Sequence, residues 1–214
     1  MCMTKNDVFS TLKTMFPHVG CELNYQSHYE LLVSVILSAQ TTDKRVNMVT
    51  VELFEIYPDL SSLSQADPDV LKRIIGSLGL YQTKSKNLIQ MANQVINQFE
   101  GKIPNTLEEL TTLAGVGRKT ANVMLSEGFH IPAMAVDTHV KRVSNRLGLA
   151  HSDNPDVVEE SLQKVFPRSQ WHEAHHLMIH FGRYICKAKK PDCFRCPFEC
   201  EFREAPFETE KMLH

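Results

Sequence analysis

Nowhere does this 214-residue chain carry an apolar run near the roughly 20 residues that a membrane-spanning helix requires. Its opening, Met1-Cys2-Met3-Thr4-Lys5-Asn6-Asp7, lacks the basic-then-apolar plan of a secretory leader, so a cytoplasmic protein without a membrane partner is expected. An excess of either charge is missing too. The 23 Lys and Arg face 25 Asp and Glu, a net charge of −2, which argues against a uniformly basic nucleic-acid binder. No segment alternates at period two, which speaks against a sheet, and no low-complexity tract interrupts the chain. Disulfides are not expected in a cytosolic protein either, so the six cysteines need another explanation.

What is present reads as helix nearly throughout, an all-α protein. Ser27 with Glu30 forms a capping box ahead of Leu31, Leu32, Val35 and Ile36, and that helix runs toward the polar break Gln40-Thr41-Thr42-Asp43. Asp67-Pro68 supplies an N-cap and a first-turn proline, with Val70, Leu71, Ile74, Ile75 and Leu78 on one face and Gly79 as the expected stop. A further helix carries Leu88, Ile89, Ala92, Val95, Ile96 and Phe99 and stops at Gly101. Thr106 with Glu109 opens a short helix, Asp137 caps one that ends at Gly148, and Asn154-Pro155 opens another. The last long helix is expected from about Ser169 to Tyr184. The apolar, proline-bearing stretch His130 to Val136 is the best candidate boundary between two helical domains.

The most informative stretch is Leu113-Ala114-Gly115-Val116-Gly117-Arg118-Lys119-Thr120-Ala121, a glycine hairpin between two helices. Gly115 and Gly117 let the backbone turn tightly and bring its N–H groups toward an anion, while the following helix adds its positive end. Held by Gly115, Val116, Gly117 and Arg118, a phosphate would be gripped whatever the base sequence. Lys119 stands where that helix begins. A free lysine, with a pKa of about 10.4, is a poor nucleophile at neutral pH. Partial burial, Arg118 beside it and the helix N-terminus would each lower that value. Asp137, 18 positions on, is expected to cap a helix and also to accept or relay a proton. An ordinary helix–helix turn with a surface lysine is the plainer alternative.

Four of the cysteines lie close together as Cys186-x6-Cys193-x2-Cys196-x3-Cys200. Such a set suits zinc or a [4Fe–4S] cube, and the spacing does not choose between them. Either centre would pin a loop rich in Lys187, Lys189, Lys190 and Arg195, whose cations face only Asp192 between Gly182 and Arg195. His172-Glu173-Ala174-His175-His176 also matches the His-Glu-x-x-His pattern of zinc proteases. No glycine-and-histidine extension follows it, and a chance match in a histidine-rich helix explains it better.

At these residues the chain resembles the endonuclease III family of DNA glycosylases. The resemblance runs through Leu32 to Asp43 (Leu-Val-Ser-Val-Ile-Leu-Ser-Ala-Gln-Thr-Thr-Asp), Gly79-Leu80-Tyr81, Gly115 to Ala121, Val136 to His139, and His175-His176 to Gly182-Arg183-Tyr184. It implies a six-helix barrel domain over 22–131 that includes the helix-hairpin-helix. Residues 1–21 and 132–214 would form a second helical domain ending in the cluster loop, with DNA in the cleft between the two. By the same resemblance Lys119 is the catalytic amine and Asp137 the essential acid. Cys186, Cys193, Cys196 and Cys200 hold a [4Fe–4S] cluster, and Gln40 and Leu80 probe the duplex where a base is extruded. His139, Arg142, Lys187 and Lys190 join the hairpin as candidate DNA contacts. The implied partner is double-stranded DNA bearing damaged pyrimidines or abasic sites, and a monomer is expected.

One feature departs from the family pattern: five residues usually precede the last cysteine, whereas Phe202 stands at that place here. A three-residue gap can still span one face of a cube. Two rival readings remain. The adenine glycosylase branch lacks a lysine at the place of Lys119 and carries an extra C-terminal domain. A purely DNA-gripping helix-hairpin-helix module leaves Lys119 and Asp137 without a shared purpose.

Overall fold

The computed structural model describes residues 5–200, which hold eleven α-helices and, among the described residues, no strand. Phe202 lies outside them. The chain divides into two units, one of residues 21–131 and one joining residues 1–20 to 132–214.

The 21–131 unit holds α2 (His28–Ser38), α3 (Asp43–Ile56), α4 (Leu60–Ser64), α5 (Pro68–Ile75), α6 (Tyr81–Gln98), α7 (Leu107–Thr112) and α8 (Arg118–Val123). Local chemistry sets most of their starts. Ser27 accepts from the Glu30 amide at 3.1 Å, but the Glu30 carboxylate returns to the Gln26 amide at 2.7 Å, one residue short of a closed capping box. Asp67 caps α5 ahead of Pro68. That helix stops at Gly76, three residues before the glycine that the sequence offered, because Ser77 and Leu78 form a turn closed by Leu78 N–H to Ile75 O at 2.9 Å. The core is a set of fully buried side chains, among them Leu31, Leu32, Leu53, Leu71, Ile75, Leu88, Met91 and Leu110. Truncating one of these, such as Leu88→Ala, should cost about 2–5 kcal/mol.

Helix α8 runs on into a π-helical turn, Met124–Gly128. A Cβ on Gly128 would come within 3.1 Å of Leu31 Cδ2 and 3.3 Å of His28 Cδ2, so glycine is what lets this turn close on α2. His28 Nε2 lies 2.8 Å from the Gly128 carbonyl and fixes the approach.

In the other unit α1 (Lys5–Met15) packs with α9 (Thr138–Arg146), α10 (Pro155–Val165) and α11 (Trp171–Tyr184) around one core. That core includes Val8, Leu12, Val140, Val143, Leu162, Leu177 and Phe181. Residues 168–170 form a 3-10 turn before α11, which accounts for the early helix start read at Ser169. No described helix is long and apolar enough to cross a membrane.

Candidate active site

The hairpin is built before any ligand arrives. Thr106 caps α7, accepting from the Glu109 amide at 3.2 Å while its hydroxyl donates to the Glu109 carboxylate at 2.8 Å. Gln94 of α6 then clasps the connection from below. Its Oε1 accepts from the Ala114 amide at 2.7 Å, and its Nε2 donates to the Thr112 carbonyl at 3.1 Å. Sequence reasoning missed Gln94, since a glutamine within a helix reads as solvated surface.

The two hairpin glycines differ. Gly115 has φ +80°, and a Cβ there would meet the Asn87 side chain at 3.0 Å. The fold itself requires glycine at that place. Gly117 has φ −92°, and no heavy atom lies within 4 Å of where its Cβ would stand. The protein makes no internal use of that missing side chain. Val116, between them, is turned into the protein. Its side chain is buried, and its N–H turns inward to the Leu113 carbonyl at 3.1 Å. A phosphate cradle here is left to the neighbouring amides and to the first turn of α8, which no side chain caps.

Lys119 sits in that first turn and is exposed, as is Arg118. The partial burial expected from the sequence is therefore absent at Lys119, which stands at the uncapped amino-terminal end of α8. Cys21 belongs to the same unit. Burial pushes its thiol up to about 11, partly offset by the Leu23 amide, with the Glu127 and Asp43 carboxylates adding to the rise and the Lys119 ammonium opposing it. It is a protonated bystander at neutral pH.

Gln40 and Leu80 are exposed and share an unusual backbone, with φ of +55° and +60°. For a leucine in particular such a conformation is rare and costs about 1–3 kcal/mol. Gly79 lies beside the Gln40 carbonyl, which would be 3.8 Å from an added Cβ. Lys84 reaches from α6 to the Gln40 turn. Its Nζ donates to the Leu37 carbonyl at 2.8 Å and to Thr41 Oγ1 at 2.9 Å, and burial lowers its pKa from the ordinary lysine value. Sequence reasoning missed it as well. The available signal is that Lys84 continues the apolar face of Leu88, Ala92 and Val95, where a lysine must bend its amine toward a buried acceptor.

In the other unit Asp137 caps α9 as expected, its Oδ1 accepting from the Val140 amide at 2.7 Å. It is half-buried, and its second oxygen remains for other work. His139 follows one turn-position later, its Nδ1 3.1 Å from Arg142 Nη2. A guanidinium can only donate, so this ring nitrogen accepts. Arg142 turns inward: Nε donates to the Cys186 carbonyl at 3.0 Å and Nη2 to the Gly182 carbonyl at 2.8 Å. Burial lowers its pKa, with Arg146 adding to the effect and Cys186 and Asp137 opposing it. Proposed from sequence as a DNA contact, Arg142 spends these N–H groups on its own fold.

Cys186, Cys193, Cys196 and Cys200 carry free thiols and line a single hollow beyond the end of α11. Its other walls include Phe181, Leu147 and Arg146. Arg146 Nη1 lies 3.4 Å from Cys186 Sγ and 2.8 Å from the Lys187 carbonyl. Phe198, between the last two cysteines, is buried against Phe181 with ring centroids 5.4 Å apart. All four cysteines line the same hollow as the Arg146 guanidinium, a donor set whose chemistry suits a thiolate-ligated centre. Lys187 and Lys190 are exposed on the same loop, and Lys190 has φ +51°.

Of the protease-like pattern, His172 and His176 stand edge-on to one another, with ring centroids 4.9 Å apart. The glutamate of that pattern, Glu173, is salt-bridged to Lys13 at 2.9 Å. His175 Nδ1 lies 2.7 Å from the Ala135 carbonyl, and His180 packs on Phe16 and Tyr184.

A glycine hairpin on two helices, a lysine after it, a capping aspartate and a four-cysteine loop define a helix-hairpin-helix repair protein. The chain belongs to the HhH-GPD superfamily of base excision DNA repair proteins, whose pattern matches residues 33–168. It is 44% identical to endonuclease III of Rickettsia felis over 94% of this chain and 95% of that one. Against endonuclease III of Bacillus subtilis the identity is 44%, over 93% and 91%. A solved non-covalent endonuclease III–DNA complex superposes with a TM-score of 0.88 at 44% identity, covering 91% of this chain and 93% of that one. A thermostable thymine-DNA glycosylase, at 22% identity and a TM-score of 0.79, shares the fold.

Proposed function

We propose that this base excision repair DNA glycosylase and AP lyase removes oxidised pyrimidines from duplex DNA and then cuts 3′ to the abasic site. The observation that carries the reading is the exposed Lys119 in the first turn of α8, entered from a hairpin whose Gly117 has open space around it. A backbone free of Cβ atoms can approach a phosphate closely and deliver the neighbouring sugar to the amine.

In the proposed chemistry the neutral Nζ of Lys119 attacks C1′ of the damaged nucleotide. The N-glycosidic bond breaks, and the base leaves as it takes up a proton. The C1′–O4′ bond then breaks, O4′ taking a proton and the amine giving one up, to leave a Schiff base, which acidifies the C2′ proton. Loss of that proton forms the C1′–C2′ enamine, and the C3′–O bond breaks with its electrons leaving on the phosphate. Asp137, with one oxygen held by the Val140 amide, accepts and returns protons. Flipping the base costs a few kcal/mol of stacking, less for a damaged one. Gln40 and Leu80 enter the duplex at the vacated position, while Lys187 and Lys190 offer charge to phosphates.

Cys186, Cys193, Cys196 and Cys200 would hold a [4Fe–4S] cluster, which supplies a covalent staple for the loop and takes no part in sugar chemistry. Purified protein is then brown. Colourless protein with one zinc per chain would replace that assignment. Cytoplasmic residence completes the proposal.

The test is strand cleavage of a duplex holding one oxidised pyrimidine. Wild type should release the base and cut the strand without a second enzyme, and Lys119→Gln should do neither. Cutting that survives in Lys119→Gln overturns the assignment.

A further inference from the structure

Two exposed, non-glycine residues with left-handed backbones lie on adjoining turns, and one buried residue bonds to both, by its backbone at one and its side chain at the other. Lys84 is 4% exposed. Its backbone N–H donates to the Leu80 carbonyl at 2.9 Å and so fixes the entry to α6. Its side chain crosses to the other turn, where Nζ donates to the Leu37 carbonyl at 2.8 Å and Thr41 Oγ1 at 2.9 Å, the residues on either side of Gln40. The Leu37 carbonyl belongs to the last turn of α2, where a cation is favoured by the helix dipole. Thr41 also donates its N–H to the Ser38 carbonyl at 3.0 Å, so the lysine closes a turn that is already hydrogen-bonded.

We infer that Lys84 is a positioning residue that locks the Gln40 and Leu80 turns into one rigid probe for the duplex. Neither turn holds its conformation by the preference of its own residue, since glutamine and leucine both disfavour positive φ. Strained backbone persists where its surroundings over-determine it, and a buried ammonium that ties the Gln40 turn to the first turn of α6, directly after Leu80, does that. The Gly79 backbone beside the Gln40 carbonyl leaves the turns close enough for one lysine to span them. Rigidity matters because a probe ordered before contact loses less freedom when it enters the helix. The functional half of this inference rests on the reading of Gln40 and Leu80 as duplex-probing residues.

The variant is Lys84→Met, which keeps the stem and removes the donors. Thr41→Val, which removes one acceptor, covers the case in which Met does not fold. In the free protein, amide hydrogen exchange should quicken at both residues 39–42 and residues 79–82, with the α6 core from Leu88 to Val95 unchanged. Quickening at one turn alone, or across the whole unit, overturns the clamp. Under single turnover, cleavage of a lesion duplex should slow about tenfold in Lys84→Met and less in Thr41→Val. Borohydride trapping on single-stranded abasic DNA, which has no stack to enter, should stay within about twofold, since the chemistry itself is untouched. In a Gln40→Ala/Leu80→Ala background the lysine change should add nothing further. Equal losses on both substrates, or a full additional loss in that background, overturn the inference. If Gln40→Ala/Leu80→Ala processes duplex as fast as wild type, the probing role itself is wrong and the functional half falls with it, while hydrogen exchange still decides the clamp.

Discussion

The hairpin at residues 107–123 and the cysteine loop at 186–200 are both short connections after a helix, yet they are held in opposite ways. The hairpin is closed by the protein itself, through Thr106 at one end, Gln94 across the middle and a glycine where φ is positive. The cysteine loop has Phe198 against Phe181 and backbone bonds such as Asp192 N–H to Ile185 O at 2.9 Å, but its four thiols have a hollow for a common neighbour. One region is preorganised by its own hydrogen bonds. The other leaves its four cysteines around a shared hollow.

The largest expected effect falls on the hairpin side. Lys119→Gln should lower strand cleavage by about 10⁴-fold while leaving thermal unfolding nearly unchanged, since an exposed side chain carries little of the fold. Cleavage kinetics and a melting curve from the same preparation check this. On the loop side the balance should reverse. Cys193→Ser should bleach the absorption of the centre, lower the Tm by roughly 10 °C, equivalent to about 3 kcal/mol, and open residues 186–200 to protease before residues 107–123.

The two glycines sharpen the comparison within the hairpin. Gly115→Ala should cost about 1–2 kcal/mol of stability from its positive φ. Gly117→Ala should leave stability within about 0.5 kcal/mol but weaken duplex binding about tenfold, close to 1.4 kcal/mol. Denaturant titration and DNA binding, run on both, separate a glycine that the fold needs from one that a ligand needs.

The smallest effect concerns Cys21. With its thiol held near 11 against an ordinary 9.0, the folded protein keeps a proton that the unfolded chain releases. That contribution is complete below pH 9 and is lost as pH rises from 9 to about 11, so stability should fall across this window. Cys21→Ala should flatten the slope. At pH 8 its alkylation should be roughly 100-fold slower than that of a free thiol, as read by peptide mass.

Much of this was legible in the sequence because the signals were local. Thr106, Asp137 and Asn154 are caps wherever they precede a helix, and α7, α9 and α10 begin at their expected residues. Helices α3 and α4 were not assigned, the first because its buried Val46, Val49 and Leu53 alternate with charged and exposed residues, the second because it has five residues. The Gly76 stop of α5 and the π-helical turn depend on packing that spacing does not encode. Around the site, Lys119 and the cysteines stood out by motif. Gln94 and Lys84 did not, because each acts on residues tens of positions away in the chain, and the carbonyls that Arg142 serves, at Gly182 and Cys186, are as remote.

The most direct measurement is borohydride trapping on abasic duplex, followed by proteolysis and mass mapping of the adduct. The deoxyribose remnant should be found on the peptide containing Lys119, attached at Nζ. A remnant on the chain's terminal amine or another lysine, or no adduct from active wild-type protein, would contradict an account in which the hairpin delivers a sugar to that amine.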